Sequence, residues 1–300
     1  MDQASSVQGS KVQSVKMRSD FLKRHDLLLG VVLMFVLTWP IDLALAAESR
    51  GMLPFNVPFP IAMSVGYGFV AAALIMTGLT KGNRGNLALL RRFLIWRVSI
   101  GWYVVVLGLY PLIYLTAIGL YILSGGQTPK ITDGMAFQLF GPATSVLFVV
   151  PFLLFNMLVN GEEIGWRGYV LPRLQWRYNA LISSLIIGVI WTAWHIPKFL
   201  VAGYDTPLGW YLVMTVARAV LFTWVYNGTR GSLLLVTIFH AVVNTAYVFL
   251  PVSTHGVGQE RIYMIAVVIE CIVALAVTLI AGPDRLSRTQ APQVEVPQVE

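Results

Sequence analysis

Residues 142–171 read PATSVLFVVPFLLFNMLVNGEEIGWRGYVL: an uncharged apolar run, then Glu162, Glu163 and Arg167, then apolar residues again up to Pro172. A hydrocarbon core about 30 Å thick needs roughly 20 apolar residues to be crossed as a helix. The stretch is therefore long enough to span a bilayer, and its three charges fall inside the crossing. The apolar residues after Arg167 predict a helix that runs past the charges and does not end at them. A charge at the centre of a spanning helix costs about 2.5–3.5 kcal/mol on insertion scales, so these side chains call for a functional reading.

Stretches of the same kind lie on both sides, at about 27–47, 60–80, 98–123, 180–197, 208–226, 232–250 and 262–281, making eight spans. Composition agrees: of 300 residues 57% are hydrophobic and 12% charged, with a mean hydropathy of +0.72, against about 25% charged in soluble domains. That excludes an ordinary cytosolic enzyme and a disordered chain. The single cysteine, Cys271, sits in an apolar run and reads as core packing, which excludes a disulfide scaffold. The expected fold is all-α, a polytopic membrane helical bundle of about eight transmembrane helices. Residues 1–26 read as a basic cytoplasmic tail, 27–281 as the transmembrane domain, and 282–300, with its QVEVPQVE repeat, as a flexible cytoplasmic tail. Ala44-Leu45-Ala46 resembles a signal-peptidase site, but the long polar leader and the interruptions at Pro40 and Asp42 argue for a retained helix.

The net charge of +7 invites a nucleic-acid reading, which the placement of the charges excludes. With eight spans, sixteen Lys and Arg fall on one side: five before residue 25, Lys81, Arg84, Arg91, Arg92, Arg97, Arg167, Arg173, Arg177, Arg230, Arg285 and Arg288. Arg50, Lys130, Lys198 and Arg261 fall on the other side and Arg218 inside a span. The positive-inside rule then puts both termini in the cytoplasm. The expected location is the plasma membrane of a prokaryote.

Ionisable residues within the spans carry the functional signal. Glu163 and Arg167 are one helical turn apart and can pair, while Glu162 lies about 100° round the helix and can point elsewhere. The fifth span ends Trp191-Thr192-Ala193-Trp194-His195, where the Trp191 ring can fix the His195 imidazole. The seventh holds His240 and Asn244 on one face. At 1.5 Å per residue, Glu162, His195, His240 and Asn244 fall about 15, 22, 13 and 20 Å from the cytoplasmic helix ends, one slab near the midplane. A carboxylate, two imidazoles and an amide in a dry site are the parts for water activation and oxyanion stabilisation. Interfacial salt bridges and interhelical hydrogen bonds are the bland alternatives for each motif alone. Arg218 and Glu270, in spans six and eight, read as an interhelical ion pair, and Asp42 as a helix-break or interfacial residue.

The Glu-Glu-x-x-x-Arg run, the aromatic-x-x-x-His and the His-x-x-x-Asn, in that order on successive spans, resemble the CPBP intramembrane proteases, the CaaX-protease and bacteriocin-processing (Abi) family. The likeness covers about residues 140–250, read as the protease core. One departure is visible: the second motif usually opens with Phe, here Trp191. The resemblance implies that Glu162 and His195 activate a water, that His240 and Asn244 hold the oxyanion, and that Glu163, Arg167 and Trp191 support them. It implies an intramembrane endopeptidase acting on a membrane-associated peptide or protein, with lipid as surroundings, no nucleic-acid partner, and a cavity open to the cytoplasm or to lipid. Zinc on one Glu and two His is conceivable but disfavoured, because no His-Glu-x-x-His spacing is present, so no metal and no other cofactor is expected. A transporter relaying protons, or a non-catalytic immunity or scaffold protein, would use the same residues. The absence of evident inverted repeats counts against transport.

Overall fold

The computed structural model describes residues 21–252 and 259–288. Most of the two tails read from the sequence lies outside these residues. Lipid offers no hydrogen-bond partners, so a spanning chain must satisfy its backbone internally, as helices do. The described residues form helices and no strands. In chain order these are α1 (Asp26–Ser49), α2 (Phe59–Met63), α3 (Val65–Arg91), α4 (Ile100–Leu123), α5 (Met135–Phe140), α6 (Pro142–Val159), a π-helical turn (Ile164–Val170), α7 (Leu171–Gln175), α8 (Ala180–Trp194), α9 (Leu208–Gly228), α10 (Leu233–Phe249) and α11 (Gln259–Ala281).

Six helical segments among the described residues are long and apolar enough to cross a membrane, and Leu233–Phe249 is a shorter apolar helix. The remaining stretch, 142–171, is a correction to the sequence reading. It is a broken span: Val146–Val159 and Ile164–Gln175 meet at 45°. The helix stops just before Glu162 and resumes into the π-helical turn, a rare form that is frequent at functional sites. Of the two readings of Asp42, helix-break or interfacial residue, the structure contradicts the first. Pro40 lies inside α1 without ending it, so Asp42 is not at a break.

Two close contacts fix the break. A Cβ on Gly161 would lie 2.3 Å from the Gly66 carbonyl oxygen, and one on Gly66 would lie 2.1 Å from that of Val159. The start of α3 and the break therefore meet backbone to backbone, which only glycine allows. The Asn160 side chain accepts from the Glu162 amide at 3.2 Å and caps the resumed helix. Asn179 and Ser232 cap α8 and α10 in the same way, accepting from Ile182 and Leu235.

Around this break α8 and α9 pack together, α9 against α11, and α10 against α4 and α6, while α1 lies along α3. The core runs through Trp166, Tyr169, Phe222, Tyr226 and Phe239, all essentially buried. Helix α1 serves as a ruler about 36 Å long. At its N-terminal end Asp26 pairs with Arg173 at 2.6 Å and accepts from Tyr169 through its carbonyl. Past its middle Trp39 donates to the Trp194 carbonyl, and at its end Arg50 donates to the Leu200 carbonyl.

Candidate active site

The break and the ends of the helices decide where each polar group goes. Glu163 is fully buried, and one of its oxygens, Oε1, receives two donors: Arg167 at 3.2 Å and Nδ1 of His240 at 2.7 Å. The predicted Glu163–Arg167 pair is thus part of a three-residue network that reaches across to α10. The Arg167 guanidinium lies 5.1 Å from the Trp191 ring centroid and 4.7 Å from that of Phe222. Those faces supply cation–π attraction where water is absent.

Glu162 turns the other way. Its Oε2 accepts a 2.8 Å hydrogen bond from the indole N–H of Trp191, and the side chain stays partly accessible. Trp191 is the hub of the site, since its ring also packs edge-on against His240 and Phe222, with centroids at 5.6 and 5.8 Å. The sequence reading gave Trp191 a different task, to hold His195 with its ring. The structure places those rings 6.1 Å apart and instead anchors His195 through Nδ1, 2.8 Å from the Trp191 carbonyl, with Trp194 and Tyr211 against the imidazole.

These partners fix the imidazole chemistry. A carbonyl only accepts, so His195 carries its proton on Nδ1 and presents a lone pair at Nε2 in the neutral form. His240 donates its Nδ1–H to the Glu163 carboxylate, so its Nε2 donates only as the imidazolium. Asn244 is also partly accessible, and its amide donates to Asn156 Oδ1 at 3.4 Å. Asn156 and Asn160, both next to the break, were missed in the sequence because asparagine in an apolar run carries no pattern of its own.

Lys198, which the sequence places only on the less basic side of the membrane, is also at the site. It lies in the 3₁₀ turn Ile196–Leu200, one turn beyond His195. The charges of Glu162, Asp42 and Lys198 act on one another, so α1 contributes to the site through Asp42. Arg218 and Glu270 form the expected ion pair at 2.7 Å. Cys271 packs partly buried against the core. Among the described residues no three His, Cys, Asp or Glu side chains gather as a metal cluster.

Every residue from Glu163 to Leu174, between the site and the end of α1 where Asp26 meets Arg173, is buried. The accessible side chains are Glu162, His195, Asn244 and Lys198, with Lys198 towards the end of α1 marked by Ser49 and Arg50. Along this stretch, towards the Asp26 end, no polar side chain is accessible.

An all-α integral membrane protein with two adjacent glutamates at a broken span, facing two histidines from separate helices, has the layout of an intramembrane protease. Residues 142–246 match the family model for Type II CAAX prenyl endopeptidases, Rce1-like. The chain is also 28% identical over 190 residues to CAAX prenyl protease 2 of Methanococcus maripaludis, covering 59% of this chain and 68% of the relative. The match and the relative agree with the three motifs: over this region the chain is similar to CAAX prenyl endopeptidases of the CPBP family.

Proposed function

We propose that the protein is a glutamate-type intramembrane endopeptidase in which Glu162 and His195 activate water. The observation that carries this reading is the division of labour at the break, where one glutamate is sealed into an ion network and its neighbour is left accessible beside an imidazole. Glu162 takes a proton from a water that also donates to His195 Nε2. The resulting oxygen nucleophile adds to the scissile carbonyl carbon, forming one C–O bond and a tetrahedral oxyanion. The imidazolium of His240, held by Glu163, and the Asn244 amide stabilise that charge. Collapse breaks the C–N bond, and the proton held by Glu162 passes to the leaving amine. A carboxylate removed from bulk water is a stronger base than one in solution, and a single oxyanion donor is worth about 2.7–4 kcal/mol where one has been removed.

The substrate class on this reading is a membrane-associated peptide or protein, as the name of the relative suggests, in the plasma membrane of a prokaryote. The sixteen-to-four charge distribution puts both termini in the cytoplasm, so the accessible polar groups face the opposite half of the membrane or lipid. The test is cleavage of quenched transmembrane and CaaX-type peptides by detergent-purified protein. Wild type, Glu162→Ala, His195→Ala, His240→Ala and Asn244→Ala are compared with and without chelator. The expected result is cleavage by wild type alone and indifference to chelator. Loss with chelator, restored by zinc, overturns the glutamate mechanism in favour of a metal.

A further inference from the structure

The proposed mechanism uses Glu162, His195, His240 and Asn244 and leaves Asp42 and the one cation beside Glu162, Lys198, without a task. Lys198 makes no ion pair within 4 Å and no side-chain hydrogen bond among the described residues, and its ammonium lies 5.9 Å from the Tyr204 ring centroid. It is nevertheless near enough to Glu162 and Asp42 for their charges to be felt. Its three N–H donors are therefore free. An ammonium kept beside a reacting carboxylate, yet not joined to it, is placed to receive a second anion. Aromatic side chains flank that position: Phe199 packs on Tyr204 and Tyr211 with centroids 5.1 and 5.2 Å away, and Tyr211 packs on His195 at 5.2 Å.

We infer that Lys198 is the subsite for a carboxylate of the peptide substrate, downstream of the scissile bond; this rests on the protease reading above. Peptides offer this chemistry in two ways, as the free C-terminus or as an Asp or Glu side chain. Position limits the register. Three residues of 3₁₀ helix rise about 6 Å, and an extended peptide advances about 3.3 Å per residue. A carboxylate within a few residues of the bond is therefore in range of Lys198 while the carbonyl lies against His195. The subsite makes Lys198 a specificity-determining residue that binds without taking part in proton transfer.

The test compares quenched peptides of one sequence that end in a free carboxylate, in an amide, or in an amide with Asp or Glu at the same distance, and varies that distance. Full-length wild type, Lys198→Ala, Lys198→Arg and Glu162→Gln are assayed in detergent. Charge-assisted hydrogen bonds predict an acid-over-amide preference of about 10- to 100-fold in kcat/KM for wild type. Lys198→Ala brings the ratio near one, chiefly through KM, and Lys198→Arg restores part of it. If the amidated Asp or Glu peptide is cleaved as well as the free acid, the ligand is an acidic side chain, and if not, the C-terminus. Equal rates on acid and amide by wild type, with Glu162→Gln inactive, overturn the subsite and leave the protease reading intact. A loss in Lys198→Ala that is equal on acid and amide peptides also overturns it. Cleavage undiminished in Glu162→Gln overturns the mechanism but not the subsite, whose ratio is read separately. Failure of wild type to cut any peptide refutes both.

Discussion

The hydrogen bond from Trp191 to Glu162 can be removed with little other change. In Trp191→Phe the six-membered ring that packs on His240, Phe222 and Arg167 is retained and the indole N–H is lost. The volume lost is about 40 Å³, which at about 24 cal/mol per Å³ of unfilled cavity predicts a stability loss of about 1 kcal/mol. The effect on turnover is larger. A hydrogen bond to a charged acceptor is worth about 1.5–3 kcal/mol, and an equal rise in the barrier slows the reaction about 10- to 150-fold. The bond holds the carboxylate at the break and makes no substrate contact, so kcat falls while KM holds within about twofold. The assay is steady-state cleavage of a quenched peptide by wild type, Trp191→Phe and Glu162→Gln, beside thermal unfolding in the same detergent. A Trp191→Phe enzyme within twofold of wild-type kcat, with Glu162→Gln inactive, would refute the argument that the indole positions the glutamate.

Three further outcomes follow from the buried groups. Glu163→Ala leaves the Arg167 cation buried without its partner and should cost about 3–5 kcal/mol of stability, read as a fall in Tm together with loss of cleavage. Arg218→Met should destabilise by a similar amount because Glu270 is buried, whereas the double variant Arg218→Met/Glu270→Met regains most of the loss; thermal unfolding of the three variants in detergent checks this. Gly161→Ala drives a Cβ into the Gly66 carbonyl oxygen, so its folded yield and kcat should both fall, as should those of Gly66→Ala, measured by monodisperse yield and cleavage.

The spans were legible because lipid leaves the chain few choices: long apolar runs must be helices, and all eight stretches are helical in the described residues. The motif residues were legible as charges that lipid would otherwise reject, and the i, i+4 spacing predicted the Glu163–Arg167 pair. The break was hidden because Asn160 and Gly161 do not shorten the apolar run, and the backbone that meets the break, at Gly66, is nearly a hundred positions away. Trp191 was read by its ring, although its N–H is what meets Glu162. Lys198 follows the end of a helix, where a cation ordinarily faces solvent, and nothing local says that Asp42 and Glu162 lie beside it. Pattern reports what one element does, whereas these contacts depend on which elements meet.

The same meeting of elements distinguishes two neighbouring glutamates that spacing alone leaves equivalent. A base needs a lone pair that a water can reach. Glu163 has none to offer to solvent: Oε1 already receives Arg167 and His240, and Oε2 is buried. Protonating Glu163 would also undo the ion pair that keeps Arg167 tolerable in the core. Glu162 spends one oxygen on an indole, a neutral donor, and keeps the other on the accessible side. Adjacent residues of a helix already point about 100° apart, and the Asn160 cap and the glycine contact hold the resumed helix so that Glu162 meets Trp191 while Glu163 faces α10. Glycine at 66 and 161, the Asn160 cap and the π-helical turn thus act together to give adjacent carboxylates opposite surroundings, which supports Glu162 as the base and Glu163 as the residue that holds His240 in its donor role.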